Sequence, residues 1–429
     1  MIDIKYIREN KELVKQNVQK KFQESKLPLV DKLYDLDKEY RENIQIANQL
    51  KHRKNEITEM ISIRKRHNQP IDDLLKEVNE LPSKIKEFDD KQKQLKQEID
   101  KLQNIIPNLI SEQTPIGKDS SQNKPIAYFG EPKKFDFEII HHGELAQELN
   151  VLDIDSARNV SGKGFFYLKG DLALLNNALI RFTEDFLNKK GYTFILTPYL
   201  LNQKAMEGAV DFEFFRDMIY KIENEDLYLI GTAEHSLMAM FSDKVIPEQK
   251  LPIKVYSYSS CFRKEIGSHG LDERGLFRVH QFDKVEQVII CKPEDSEKMY
   301  DELLNNSIEL FKQLGLPTRV LEICSGDMGD LKYRSADLEA WSPRKQEYIE
   351  VGSCSNLTNA QALKLNIKAS TPQGEKYHVH TLNNTAIATS RALVAILENC
   401  QTKEGTIKVP DVLVPYMYGK KEIKKNNSF

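Results

Sequence analysis

A seven-residue apolar ladder constrains this chain more than any other feature. It runs Leu33, Tyr40, Ala47, Lys54, Ile61 beside a second series, Leu36, Asn43, Leu50, Ile57. These are the a and d seams of a coiled coil with a few polar interruptions. The string Arg66-His67-Asn68-Gln69-Pro70 breaks the pattern. The ladder then resumes as Leu74, Leu81, Phe88, Leu95, Leu102 beside Val78, Ile85, Gln92, Ile99, Ile106, until Pro107 ends it. One helix cannot bury such a seam, so two long helices joined by a short turn must fold back on each other. About 30 residues in each, at 1.5 Å per residue, predict an arm of about 45 Å. Pro82 lies inside the second helix and predicts a kink or a late start there.

The remaining chain is a different material. At 429 residues there is room for two or three domains. Residues 113–134 are rich in Gly, Pro, Ser, Asn and Gln, with X-Pro steps at Pro115, Pro125 and Pro132, and read as a linker. The expected division is therefore a helical arm over 1–112, a linker over 113–134 and a larger domain over 135–429. In that domain helical stretches (Asp171 to Lys190, Asp295 to Leu314, Thr389 to Cys400) alternate with β-rich runs (Tyr192 to Thr197, Lys254 to Tyr258, Val285 to Cys291). The five cysteines are widely spaced with no CxxC, which points to reduced packing residues and not to a disulfide framework or a zinc ribbon. No apolar run approaches the roughly 18 residues of a membrane span, and the first residues lack a signal-peptide core, so a cytoplasmic protein with no membrane partner is expected. A net charge of −3 argues against nucleic-acid binding by bulk charge, so any basic patch must be local.

The chain has no Walker A loop, and Ser161-Gly162-Lys163-Gly164 is too short for a dinucleotide fingerprint. The informative region is Cys261-Phe262-Arg263-Lys264-Glu265, then a polar loop from Gly267 to Gly275, then Arg278-Val279-His280-Gln281-Phe282-Asp283-Lys284-Val285-Glu286. Two strand-like runs joined by a charged, Gly-rich loop make a hairpin. An Arg at a strand end offers a planar fork for phosphate, and Glu265 an acceptor for an exocyclic amine. From charge pattern alone a solvated hairpin fits the same string.

That string resembles motif 2 of the class II aminoacyl-tRNA synthetases, and in detail the seryl-specific family among them. Gly191 to Pro198 resembles motif 1, which in the family builds a dimer interface. Ala388-Thr389-Ser390-Arg391-Ala392-Leu393 resembles motif 3. Thr232-Ala233-Glu234 is similar to the family's serine-binding T-x-E, and Glu350-Val351-Gly352-Ser353 to its nucleotide and metal strand. With the helical arm in front, the resemblance spans the chain. It implies an α+β protein: an antiparallel coiled-coil arm, then a class II antiparallel β-sheet catalytic domain flanked by helices.

The resemblance also implies roles. Arg263 and Arg391 would clamp ATP phosphates, with Lys264, Glu265, Val279, Val351 and Gly352 around the nucleotide. Glu350 and Ser353 would ligate Mg²⁺; no catalytic zinc is expected, and the rarer methanogen-type enzyme is not matched. Thr232, Ala233, Glu234, Glu286, Asn383 and Thr385 would hold L-serine. An ordinary strand pairing of Glu286 with Lys284 is the competing reading of that carboxylate. The run His380 to Arg391 lacks the Asn-Gly-Ser-Gly of many bacterial members and looks more like the archaeal and eukaryotic version. Partners implied are L-serine, ATP, tRNA(Ser), tRNA(Sec) where one exists, and a second copy in a homodimer.

Local charge supports an arm that meets RNA. Lys51, Arg53, Lys54, Arg64, Lys65 and Arg66 cluster on the first long helix and at its tip, a pattern that attracts phosphates with little sequence information. In the family this arm holds the long variable arm of serine tRNA by shape. The basic tail Gly419 to Asn427 is expected to fray. Two rivals stand beside this reading: a class II enzyme for another small amino acid or a carrier protein, and an inactive paralogue that keeps the fold.

Overall fold

The computed structural model describes residues 1–210, 212–265 and 275–427. Of the polar loop expected from Gly267 to Gly275, only Gly275 lies within the described residues. The chain divides into two units, Met1–Leu109 and Ile110–Phe429.

The first unit is helical: α1 (Ile4–Glu9), α2 (Lys11–Lys20), α3 (Leu27–Arg66) and α4 (Asp72–Ile105). The long pair is the antiparallel hairpin that the heptads require. At 40 and 34 residues the helices exceed the expected thirty, and α3 is about 60 Å long. The extra length comes from the start of α3, where Val30 is buried against Ile7, Val14 and Val18 of α1 and α2. Asp72 and Asp73 begin α4 while Arg64, Lys65 and Arg66 end α3, so both termini at the tip oppose the helix dipole with the favourable sign. Asn68, at φ 50°, takes the left-handed turn position that Asn tolerates.

A polar residue on the seam is half satisfied: the Asn43 amide nitrogen is bonded while its oxygen is buried with no hydrogen-bond partner among the described residues. Asn43 donates from Nδ2 to the Phe88 carbonyl at 2.8 Å across the hairpin. The late start expected at Pro82 is not found: α4 runs unbroken from Asp72 through Pro82. Burial of Leu74 and Leu81 with Ile57, flanked by Val78 and Ile85, outweighs the missing backbone hydrogen bond, a penalty of about 3 kcal/mol. Near the base, Asp37 is buried and accepts from Arg8 Nε and Nη2 at 2.9 Å each and from Arg41 Nε at 3.0 Å. Burial works to raise that carboxyl, but the two guanidiniums hold it below its ordinary value. Leu33 is fully buried in the same cluster. Leu33→Ala is expected to cost about 3 kcal/mol, read as an earlier loss of helical circular dichroism on heating; a change below about 0.5 kcal/mol would contradict the packing described.

In the second unit, among the described residues, eight strands form the main sheet: β1 (Lys124–Phe129), β2 (Thr193–Phe194), β3 (Ile253–Phe262), β4 (Gln281–Cys291), β5 (Thr318–Glu322), β6 (Arg334–Ser342), β7 (Glu347–Thr358) and β8 (His380–Ala388). Their order is β1-β5-β6-β7-β8-β4-β3-β2, antiparallel throughout except for the short parallel pairing of β2 with β3. The expected hairpin is β3–β4, in register from Ile253 opposite Ile290 to Phe262 opposite Gln281.

Alternation along β4 decides which side is which. Val285, Ile289 and Cys291 enter the larger core with helices α5 (Gly170–Lys189), α7 (Ser296–Gln313) and α9 (Thr389–Asn399). Val288 and Ile290 face the other way, onto α6 (Ala233–Ala239) and α8 (Ala360–Leu365). Lys284 and Glu286 share that second face by their even spacing. On β8, Leu382 and Ala386 enter the larger core, which turns Thr381, Asn383 and Thr385 toward α6 and α8.

Two expectations are corrected here. The stretch 113–134 is not a free linker: β1 within it pairs along β5 as the edge of the sheet, where Pro125 is tolerated because an edge strand need not donate on both sides. The tail is not frayed over its described length: Glu422–Ile423 pairs with Ile407–Lys408, Ile423 is fully buried, and the Asn426 amide donates to the Leu149 carbonyl at 2.8 Å. All five cysteines are free thiols. No helix among the described residues is long and apolar enough to cross a membrane.

Candidate active site

Thr232 caps α6: its Oγ1 accepts from the Glu234 amide at 3.3 Å and donates to Glu286 Oε2 at 3.3 Å. Thr385 Oγ1 reaches the same Glu286 oxygen at 3.5 Å. Lys284 Nζ pairs with that oxygen as well, with both side chains almost fully buried. The competing strand pairing of Glu286 is thus present, and it coexists with both threonine contacts. Glu234, in the first turn of α6, accepts from Asn383 Nδ2 and, at 2.7 Å, from Gln361 Nε2. Burial, then the charge of Glu286, push the Glu234 carboxyl up to about 7, against the pull of Lys284, Gln361 and Lys332. Asn383 Oδ1 is buried without a hydrogen-bond partner. In this cluster acceptor atoms outnumber donor atoms.

The neighbouring part of the sheet is arranged for anions. Arg263 leaves the end of β3, donates from Nε to the Gly231 carbonyl at 3.2 Å, and its guanidinium lies over the Phe282 ring with 5.3 Å to the centroid. Its charge reaches both His235 beside Glu234, whose pKa falls to about 3 through burial and then Lys284 and Arg263, and Glu350 on β7. The charge of Arg263 thus acts on both halves of the site. Arg391, in the first turn of α9, pairs through Nη1 with Glu350 Oε1 at 2.8 Å and lies over Phe277 at 5.2 Å. Burial works to raise the Glu350 carboxyl, but Arg391 foremost, then Arg263 and Lys332, hold it below its ordinary value.

Glu350 and Ser353 are three apart, a spacing that in a regular strand would send them to opposite faces. A bulge between β6 and β7, where Leu338 opposes Gly352 and Glu339 opposes Glu350, shifts the phase by one residue. Asp337 then stands directly opposite Ser353, and burial together with the Glu350 charge raise its pKa. Ser353 Oγ is buried without a well-formed hydrogen bond, although it is near enough to Asp337 to favour its charged form. Two crowded carboxyls and a hydroxyl lacking a good partner fit a hard divalent cation. Among the described residues no cluster of three His, Cys, Asp or Glu is placed to hold a metal, so such an ion would need ligand oxygens of another kind as well.

The remaining sequence candidates divide. Glu265 carries φ 45°, a strained position for a residue with a side chain, and its carboxylate pairs with Arg278 at 3.4 Å. Lys264 donates its amide to the Met218 carbonyl and lays its ammonium over Tyr220 at 5.7 Å. Val279, Val351 and Ala233 are buried, so what they offer a ligand is backbone. At Gly352 a Cβ would lie 3.2 Å from the Thr385 carbonyl, a close approach between β7 and β8. On the arm, Lys51 pairs with Asp89 at 2.8 Å, Arg53 with Glu77 at 2.8 Å and Arg64 with Asp73 at 2.9 Å. Lys54, Lys65 and Arg66 are exposed and make no ion pair among the described residues. Sequence reasoning missed Asp337, Phe282 and Gln361. Only Phe282 had a signal, its even spacing with Lys284 and Glu286.

An antiparallel sheet with a motif 2 hairpin, an Arg opening the motif 3 helix and acidic residues between them defines the core of a class II aminoacyl-tRNA synthetase. The family model for the tRNA synthetase class II core domain (G, H, P, S and T) matches residues 218–400, and the model for the seryl-tRNA synthetase N-terminal domain matches residues 1–110. The chain is 45% identical over 421 residues to the serine–tRNA ligase of Methanocorpusculum labreanum, covering 98% of this chain and 99% of that one. It is 43% identical over 444 residues to the enzyme of Thermococcus onnurineus, covering 99% and 97%. The seryl-tRNA synthetase of Pyrococcus horikoshii, solved with ATP, superimposes with a TM-score of 0.94 at 40% identity over the whole of both chains. The chain belongs to the seryl-tRNA synthetase family.

Proposed function

We propose that this chain joins L-serine to ATP as seryl-adenylate and passes the seryl group to tRNA(Ser). The observation that carries the serine assignment is the excess of acceptors over donors around β8. Glu234 and Glu286 act on each other through their charges, Asn383 bonds Glu234 through Nδ2, and Lys284 is the buried cation. Serine brings an ammonium and a hydroxyl, donors for the surplus acceptor atoms of this set. Alanine brings no hydroxyl, so a pocket that bonds one rejects it by about 10⁴-fold. Threonine adds a methyl group to a space already bounded by Thr232 and Thr385.

In the first step a serine carboxylate oxygen attacks the α-phosphorus, the bond to pyrophosphate breaks, and pyrophosphate leaves with the electron pair. In the second, a terminal ribose hydroxyl of tRNA attacks the seryl carbonyl and AMP leaves. Arg263, whose charge acts on both halves of the site, is assigned to the α-phosphate, where it screens two anions that repel. Arg391 is assigned to the γ-phosphate, so ATP must draw it from Glu350. Mg²⁺ bound with ATP would be held by Glu350, Asp337 and Ser353 and would neutralise charge on the departing pyrophosphate. Glu265 and the backbone of Val279, Val351 and Gly352 are assigned to the nucleotide. Exposed Phe194 and Leu196 at the sheet edge support a homodimer. The cytoplasm as its location is supported by the lack of a signal-peptide core in the sequence, and tRNA(Sec), where one exists, as a second acceptor by the family resemblance.

A pH profile tests the serine site. Glu234 must be ionised to meet an ammonium, and its pKa is raised to about 7. The kcat/KM for serine is therefore expected to climb as pH rises through about 7 and to lose that limb in Glu234→Gln, with KM for serine raised and KM for ATP little changed. A wild-type profile flat from pH 6 to 8 would contradict the assignment.

A further inference from the structure

We infer that Gln361 is a positioning residue for serine recognition, holding the Glu234 carboxylate in the place where it meets the substrate ammonium. The inference rests on the reading of Glu234 given above.

Gln361 sits in α8 and is 1% exposed, away from bulk solvent. Its polar atoms are all committed. Nε2 donates to Glu234 Oε1 at 2.7 Å and to the Ala209 carbonyl at 2.9 Å. Oε1 accepts from Thr381 Oγ1 at 2.7 Å. These partners fix the amide in one orientation. Ala209 O requires a donor, and flipping the amide would set its oxygen against both that carbonyl and the Glu234 carboxylate. Thr381 comes from β8, two residues before Asn383, which grips the other Glu234 oxygen. Helix α8 and strand β8 therefore hold one carboxylate from both sides, leaving the approach from Thr232 and Glu286 for a ligand.

The arrangement also controls charge. The groups that face Glu234 are Glu286, which repels it, and Lys284, Lys332 and the Gln361 amide, which favour its ionised form. Of these, Gln361 bonds it directly, and Asn383 is the other side chain among the described residues that does so. Removing the Gln361 donor leaves Glu234 beside Glu286 with one hydrogen bond fewer and held from the Asn383 side alone. The consequence should fall on serine, since among the described residues the hydrogen bonds of Gln361 go to Ala209, Glu234 and Thr381 and to no nucleotide-assigned residue.

The test is serine-dependent exchange of pyrophosphate into ATP by the full-length protein, with KM for serine and for ATP measured across pH in Gln361→Met, Thr381→Val and Glu234→Gln. Gln361→Met is expected to raise KM for serine about tenfold or more and to move the rising limb of kcat/KM to higher pH, while KM for ATP changes less than twofold. Thr381→Val keeps the Gln361 donor but removes its anchor, and should shift both readouts the same way by a smaller factor; it serves if Gln361→Met does not fold. A rise in KM for serine in Glu234→Gln with none in Gln361→Met or Thr381→Val would overturn the inference and leave the Glu234 reading standing. Equal losses toward serine and ATP would overturn it in favour of a merely structural role. An unchanged KM for serine in Glu234→Gln would overturn the reading itself and the inference with it.

Discussion

Arg391→Ala is expected to lower serine-dependent pyrophosphate exchange by about 10²–10³-fold, the range found when a preorganised donor at developing charge is removed. The guanidinium is held at the first turn of α9 by a 2.8 Å pair with Glu350 and by the Phe277 ring. Nη1 also donates to the Glu350 backbone carbonyl at 3.3 Å, so both of these contacts are to one residue of β7. When polyphosphate arrives, Arg391 exchanges one anionic partner for another, so its reorganisation is small. The alanine variant loses the phosphate partner and leaves Glu350 with Arg263 and Lys332 as its remaining counter-charges. Arg391→Lys restores the charge but not the planar fork, and should recover only part of the loss. A variant within threefold of wild type would remove Arg391 from the reaction.

The second large effect concerns the arm. Among the described residues Lys54, Lys65 and Arg66 make no ion pair with a carboxylate, whereas Lys51, Arg53 and Arg64 are each paired across to α4. Reversal of the first three to Glu removes up to three phosphate contacts and adds repulsion. The expected result is a loss of about 10²-fold or more in tRNA affinity at moderate salt, with a salt slope shallower by about two. Pyrophosphate exchange without tRNA should be untouched. Arg53→Glu is a poorer probe, because it sets two glutamates against each other opposite Glu77 and would loosen the hairpin itself. Equal damage to exchange and to tRNA binding in the triple variant would contradict a division of labour between the two units.

The heptads made the hairpin legible because a seam needs a facing seam, and Pro107 marked its end within a residue or two of Ile105. Helices α1 and α2 were not legible. Each is short, and their apolar residues make sense only against Val30 and Leu33. Strand β1 was hidden by its composition: Pro and polar residues that read as a linker are tolerated on an edge. Within the site, residues fixed by local motif were readable, as Arg263, Glu234 and Arg391 show. Asp337 and Gln361 were not, since one depends on a bulge that sets it opposite Ser353 and the other on the packing of α8 against β8. Register and tertiary contact leave no mark in the spacing of a single strand.

The most direct test of the account is amino-acid-dependent exchange of pyrophosphate into ATP, comparing serine, threonine, alanine and glycine without tRNA. The account predicts exchange with serine and at least about 10⁴-fold less with alanine. Exchange of similar efficiency with alanine or glycine, or none with serine in protein shown to be folded, would contradict it.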